Sequence, residues 1–469
     1  MRKIYHWIMV LLCVMILGPA LSVYAEDGSY LIKFQKEYAP DVEKYQLKEI
    51  NKKRGIYEIE DIKSIKPLEE RIECISPNSK IRLIEGEETT VSLMGEDLYS
   101  EQWQLQMICA DAGWALETYG NDIRVAVIDS GCYEHEDLKN NLLEGKNYIT
   151  GTTDVTDHIG HGTHVSGIIA AEMNDIGIVG VAPKAKIVPL KCFDSSHETD
   201  LGEIIEAIYD AVDVYDCKII NMSWGLKNND PFLKEAIDYA YDKGVILVAS
   251  VGNYSSTVMY YPAAYENVIG VSSVNIEKNK SYFAQYNQSV LVTAPGEKVK
   301  STYLNNEYQV LQGTSQAAPM ISGIAAVALS MDTNMTNQEF KNILTDTAED
   351  LGVSGYDTKF GYGLVNEKVL TDRLQEKIPY YVSPINTKNG ESYVLIKNNA
   401  ETDLSAISIF SEYNNHKLIR YKQLPIRLLP DDERIVSIES DRNQLNHFLW
   451  KNGLNKFMPL TLKRGRSEI

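Results

Sequence analysis

The chain has 469 residues, 44% of them hydrophobic and 24% charged, with 65 acidic against 46 basic side chains and a formal net charge of −19. At roughly 150 residues per unit this length predicts about three folded units. The acidic balance argues against nucleic-acid or anionic-membrane binding and favours solubility and cation binding.

Met1 to Ala25 carries Arg2 and Lys3, an apolar run from Ile8 to Leu17 and the small-residue site Val23-Tyr24-Ala25, the layout of a secretory signal over 1–25. The run is short for a membrane span and no later stretch reaches about 20 apolar residues; Cys13 follows Leu12, which is not small, so no lipid anchor is expected either. The chain is therefore expected to be secreted without a stable membrane anchor, association with the cell surface staying open. Residues 26–99 read as a small charged α+β unit: a strand at Tyr30 to Phe34, a polar helical stretch near Val42 to Lys53, and a strand at Ile81 to Ile84.

Over 100–371 near-continuous apolar runs, Val125 to Ile128, Ile187 to Leu190, Ile219 to Met222 and Val245 to Ala249, alternate with helical stretches such as Leu201 to Val214 and Phe232 to Asp242. That alternation predicts an α/β fold with a parallel sheet covered by helices on both faces, and reacting groups belong at the carboxyl ends of such strands, where Asp129 falls. Ala317 to Leu329 reads as a buried helix and Thr336-Asn337-Gln338-Glu339 as a capping box. Beyond 372 the runs Tyr393 to Ile396, Ile407 to Phe410, Lys417 to Tyr421 and Arg434 to Ile438, separated by Asn, Asp and Pro, predict a β-sandwich-like module over 372–469. Apart from Cys13 and Cys74, the cysteines Cys109, Cys132, Cys192 and Cys217 show no zinc spacing; buried free thiols are the expectation over disulfides.

Asp129-Ser130-Gly131, His161-Gly162-Thr163-His164 and Gly313-Thr314-Ser315 follow one another in the order acid, base, nucleophile. A serine nucleophile needs a base to take its proton and a carboxylate to fix the base's tautomer. Asp, His, Ser is one of three unrelated chain orders that build this device, and there is no Gly-x-Ser-x-Gly elbow to suggest another. The blocks Val125 to Gly131, His161 to Gly167 and Gly313 to Pro319, with Asn221-Met222-Ser223-Trp224-Gly225 and Gly252-Asn253, resemble the signature blocks of the subtilisin-like serine proteases, or subtilases, over about residues 100–368. Gln316 departs from the Met usual after the nucleophile.

The resemblance implies a subtilisin-like sheet and a secreted serine endopeptidase, with a polypeptide substrate and no organic cofactor. Ser315 would be the nucleophile, His161 the base and Asp129 its orienting acid, with His164 packed or hydrogen-bonded one turn on and His158 in the preceding loop. It also implies an oxyanion-hole amide from Asn253, pairing of Ser223, Trp224 and Gly225 with substrate backbone with Trp224 bordering the cleft, and Tyr254 and Tyr260 near the main specificity pocket. A structural Ca²⁺ would be held by the Asp137 carboxylate, the Asn174 side chain and the carbonyls of Glu172, Ile176 and Ile178. Residues 26–99 resemble a propeptide that acts as folding template and intramolecular inhibitor, cut between Val91 and Ser100; an N-terminal domain that stays attached is the alternative. A narrow-specificity processing protease acting on itself or one partner precursor, and a pseudoprotease binding module, are the rival functions.

Overall fold

The computed structural model describes residues 28–83, 98–377 and, with short breaks, 380–464; the signal-like segment 1–25 and most of the expected cut region lie outside the described residues. In the N-terminal unit β1 (Tyr30–Phe34), β2 (Lys48–Asn51), β3 (Ile56–Ile59) and β4 (Ile72–Pro77) form an antiparallel sheet in the order β2-β3-β1-β4. Its core is Tyr30, Ile32, Phe34, Tyr57, Ile59, Ile62 and Ile65. The polar stretch expected to be helical to Lys53 is instead one turn, α1 (Val42–Tyr45), because Gln46 takes a left-handed conformation at φ 52° and turns the chain into β2. β5 (Lys80–Leu83) leaves this sheet altogether.

The central unit begins with the short α2 (Trp103–Met107) and α3 (Asp111–Ala115). It is built on seven parallel strands: β6 (Arg124–Asp129), β7 (Lys146–Asn147), β8 (Lys186–Lys191), β10 (Ile219–Met222), β12 (Ile246–Ser250), β13 (Ile269–Val274) and β14 (Val292–Pro295), ordered β14-β13-β12-β10-β6-β8-β7. Every residue of β10, β12, β13 and β14 is buried, the pattern of strands sandwiched between helical layers. One layer holds α4 (His161–Ala170); the other holds α5 (Leu201–Asp213) and α6 (Pro231–Asp242). α7 (Thr314–Met331), on the α4 side, is buried at every position from Thr314 to Leu329. Thr336 and Glu339 close the expected capping box on α8 (Asn337–Asp346). Between the main strands lie β9 (Glu198–Asp200) and β11 (Trp224–Gly225), and the hairpin β15 (Val299–Thr302) with β16 (Tyr308–Leu311).

α9 (Glu367–Lys377) runs through the expected 371/372 boundary and buries Leu370 and Leu374 in the central core. The C-terminal strands β17 (Tyr380–Val382), β18 (Asn386–Lys388), β19 (Glu391–Asn398), β20 (Leu404–Asn414), β21 (Lys417–Leu428), β22 (Glu433–Glu439), β23 (Leu445–Lys451) and β24 (Pro459–Arg464) make two antiparallel sheets. One holds β17, β18, β19 and β22, the other β20, β21, β23 and β24, and both bury side chains in one core. The five described cysteines are all free thiols, with Cys132, Cys192 and Cys217 buried.

Candidate active site

Asp129 ends β6, and β10 runs beside it in parallel with Met222 opposite Ile128, so Ser223 emerges next to Asp129. α4 starts at His161, and its entry is fixed by Asp157: one carboxylate oxygen accepts from the Ile159 and Gly160 N–H groups, the other from the Thr163 N–H and hydroxyl. Gly160 turns the chain at φ 96°, and a side chain there would strike the Tyr303 ring. His161 Nδ1 lies 2.8 Å from Asp129 Oδ1, which also accepts the Ser130 N–H at 2.7 Å; His161 is 5% exposed and Asp129 fully buried. With Nδ1 protonated and donating to a carboxylate, the unprotonated Nε2 on the other side of the ring is an acceptor.

Ser315 lies in the first turn of α7, which packs against α4. Its hydroxyl points at the Ser223 carbonyl at 3.2 Å, and the Ser223 hydroxyl donates to the Ser315 carbonyl at 3.1 Å. Asp129, His161, Ser223 and Ser315 thus meet at the carboxyl ends of β6 and β10. Asn253 follows β12 and joins them through Thr314, whose N–H and hydroxyl both donate to Asn253 Oδ1 at 2.9 Å. Gln316 is buried behind Ser315.

His164 does sit one turn on and is fully buried, its Nε2 within 3.1 Å of the carbonyls of Val299 and Gln309; burial, and then the neighbouring His161, hold it down at about 3, neutral at any working pH. His158 is in the exposed loop before α4. Trp224, expected at the cleft border, lies in one core with Ile81 and Leu83 of β5, its Nε1 donating to the Ile128 carbonyl at 3.0 Å and its backbone facing the groove.

That backbone is occupied. β5 of the N-terminal unit lies between β11 and β9 in an antiparallel three-stranded sheet, Leu83 opposite Trp224 and Arg82 opposite Gly225 on one edge, Lys80, Ile81 and Arg82 opposite Asp200, Thr199 and Glu198 on the other. Tyr254 and Tyr260, stacked at 5.6 Å, border a cavity of about 370 Å³ that Ser79, Lys80, Arg82 and Leu83 also line. The N-terminal unit is fastened elsewhere too. Lys33 Nζ bonds both oxygens of Glu235 at 2.9 Å, Arg54 lies over the rings of Tyr209 and Tyr239, and Asn78 Oδ1 accepts the Gly202 N–H at the start of α5.

Of the residues expected around a cation, Asp137 is fully buried. Its Oδ2 accepts from the Ile178 N–H at 2.8 Å and the Tyr308 hydroxyl at 3.2 Å, while Oδ1 has no hydrogen-bond partner among the described residues; burial raises its carboxyl to about 7. Asn174 adjoins this carboxyl, and Gly177, at φ 58°, leaves room that a Cβ would take from Asp137 and Tyr308. The Glu172 carboxylate is held by Asn140, leaving only its backbone for such a role. Among the described residues no three His, Cys, Asp or Glu side chains gather into a metal cluster. One orphaned carboxylate oxygen beside a backbone loop nevertheless fits a hard cation that takes mostly carbonyl oxygens.

Two side chains of the site were missed in the sequence. Asp157, four residues before His161, carries a capping signal that could have been read. Lys191, whose Nζ donates to the Ser130 carbonyl at 2.5 Å, follows the apolar run Ile187 to Leu190 and carries no such signal.

Residues 120–363 match the family described as "Subtilase family". The chain is 37% identical over 267 residues to subtilisin DY of Bacillus licheniformis, a match covering 56% of this chain and 95% of that protein, and 34% identical over 272 residues to subtilisin Savinase of Lederbergia lenta, covering 58% and 99%. It is also 37% identical over 269 residues to minor extracellular protease Epr of Bacillus subtilis, covering 57% of this chain but only 41% of that protein.

Proposed function

The chain belongs to the subtilase family and is a serine endopeptidase, a hydrolase of polypeptides, and on that footing we propose that Ser315, His161 and Asp129 are its catalytic triad. The observation that carries this is the 2.8 Å contact of His161 Nδ1 with Asp129 beside the first turn that holds Ser315. His161 Nε2 takes the proton of the Ser315 hydroxyl as its oxygen attacks the scissile carbonyl, and the imidazolium formed is stabilised by the buried Asp129. Negative charge on the carbonyl oxygen meets the Asn253 amide and the N-terminal end of α7. His161 returns the proton to the leaving amine, the acyl chain stays on Ser315, and water activated by the same imidazole releases it.

Ser223, Trp224 and Gly225 bind substrate through their backbone on the edge that β5 now fills. That occupancy supports reading 26–99 as an inhibitory propeptide that self-cleavage would release; the 1–25 segment would direct secretion. Among the described residues no helix is long and apolar enough to cross a membrane. Where Ca²⁺ binds, Asp137, Asn174 and the backbone of Glu172, Ile176 and Ile178 would hold it and tie the loop to Asp137, a structural rather than a chemical contribution. The test is Ser315→Ala. Removal of the nucleophile from a triad of this kind costs about 10⁶ in kcat, and the variant should lose fluorophosphonate labelling and keep the N-terminal unit uncut. Hydrolysis at the parent rate would refute the assignment, and a parent enzyme that neither labels nor hydrolyses would be a pseudoprotease.

A further inference from the structure

β5 fills the groove as an extended chain would, and its side chains alternate between two environments. Ile81 and Leu83 are buried, at 0% and 5% exposure, in the core that contains Trp224. Lys80 and Arg82 point the other way, and each finds a carboxylate on β9: Lys80 Nζ lies 2.9 Å from Asp200, and Arg82 pairs with Glu198. The pairing follows from register, since Lys80 is opposite Asp200 and Arg82 opposite Glu198. The groove edge therefore carries two acids at the spacing of alternate residues on a bound strand. Continued one step beyond Leu83, the antiparallel register of β11 brings a bound chain to Ser223, whose carbonyl accepts from Ser315. In a substrate held in this register the basic positions fall third and fifth upstream of the bond presented to Ser315; in this chain the same register points to the bond after residue 84 rather than to 91–100, where the cut was expected.

We propose that Glu198 and Asp200 are specificity-determining residues that select substrates with Arg or Lys at the third and fifth positions upstream of the cut, alternating with aliphatic residues, as in Lys80-Ile81-Arg82-Leu83. This deepens the protease reading and rests on Ser315 being the nucleophile. Both pairs are partly exposed, with side-chain exposures of 61% and 32% for Lys80 and Asp200 and 74% and 29% for Arg82 and Glu198. Exposed pairs of this kind contribute modestly and are screened by salt, so the selection is graded.

The test uses the mature enzyme and quenched fluorescent peptides that share the aliphatic positions and carry Lys and Arg, Gln and Gln, or Glu and Glu at the two charged ones. At low salt kcat/KM should fall in that order, with the basic peptide about tenfold above the acidic one, and the gap should narrow in ~1 M salt. The double variant Glu198→Lys, Asp200→Lys, shown by fluorophosphonate labelling to retain a folded site, should prefer the acidic peptide. Equal rates for basic and acidic peptides in the parent, or an unchanged order in the labelled double variant, would overturn the inference. Absence of both labelling and hydrolysis in the parent would defeat the protease reading and this inference with it.

Discussion

Asn253 and Thr314 are joined twice: the backbone N–H and the hydroxyl of Thr314 both donate to Asn253 Oδ1 at 2.9 Å. An Asn side chain can turn over by exchanging oxygen and nitrogen, and two donors on one atom forbid it. The amide NH₂ is thereby directed away from Thr314, the residue before Ser315. Asn253→Leu is expected to lower kcat by about 10² to 10³ with KM little changed. Thr314→Val, which loses one of the two donors, should lose about fivefold in kcat, the equivalent of a net hydrogen bond of ~1 kcal/mol. Steady-state kinetics on one peptide checks both, and a Thr314→Val change confined to KM would show that the bond serves binding alone.

Chelation should lower the melting temperature if a cation sits on Asp137, by the linkage RT ln(1 + [L]/Kd), ~2.7 kcal/mol at a hundredfold excess over Kd. Asp137→Asn should be less stable with Ca²⁺ present and insensitive to chelator. Calorimetry with and without chelator decides it, and identical melting curves for the parent would exclude the site.

Glu367 opens α9 with its carboxyl fully buried against Gly113, and burial raises it well above the ordinary glutamate value of 4.5. A group whose folded pKa is raised binds its proton more tightly in the folded state. The stability that the neutral form gives is complete below about 4.5 and is lost as pH rises from there through the folded pKa. Glu367→Gln should therefore match the parent in acid and melt a few degrees higher in mildly alkaline buffer, ~1 kcal/mol corresponding to about 2–4 °C at this size. Parallel melting curves across pH would remove Glu367 as the source.

Ending the chain after Lys377 should leave peptide hydrolysis largely unchanged, because the site residues and α9 are all retained. Ending it after Thr371 removes Leu374, 2% exposed in the central core, and should cost ~2–4 kcal/mol, the scale of a lost core leucine. Thermal melts of the two truncations distinguish these outcomes.

The parallel sheet was legible because runs such as Val125 to Ile128 are apolar on both faces, a pattern that needs no tertiary information. The charged run after Val42 was not. Its pairs suit a helix, and only the left-handed turn at Gln46, a choice made by the packing of β2 on β3, ends it. Trp224 belongs to a block with a functional signature, yet periodicity could not say that the indole faces Ile128 while the backbone faces the groove. α9 crosses the expected boundary because its sequence is polar overall and its hold on the core rests on Leu370 and Leu374. Lys80 and Arg82 carry no signal of their own in the sequence, and only the register of β9 supplies their partners.

The space between β9 and β11 is one strand wide, and the chain within it is hydrogen-bonded along both edges. A polypeptide can enter only after giving up whatever sheet or helix partners it had over at least four consecutive residues. Folded proteins would thus be cut in proportion to the population that is locally open, so that the free energy of opening in the target, more than its residue sequence, decides which bonds in a native protein are reached.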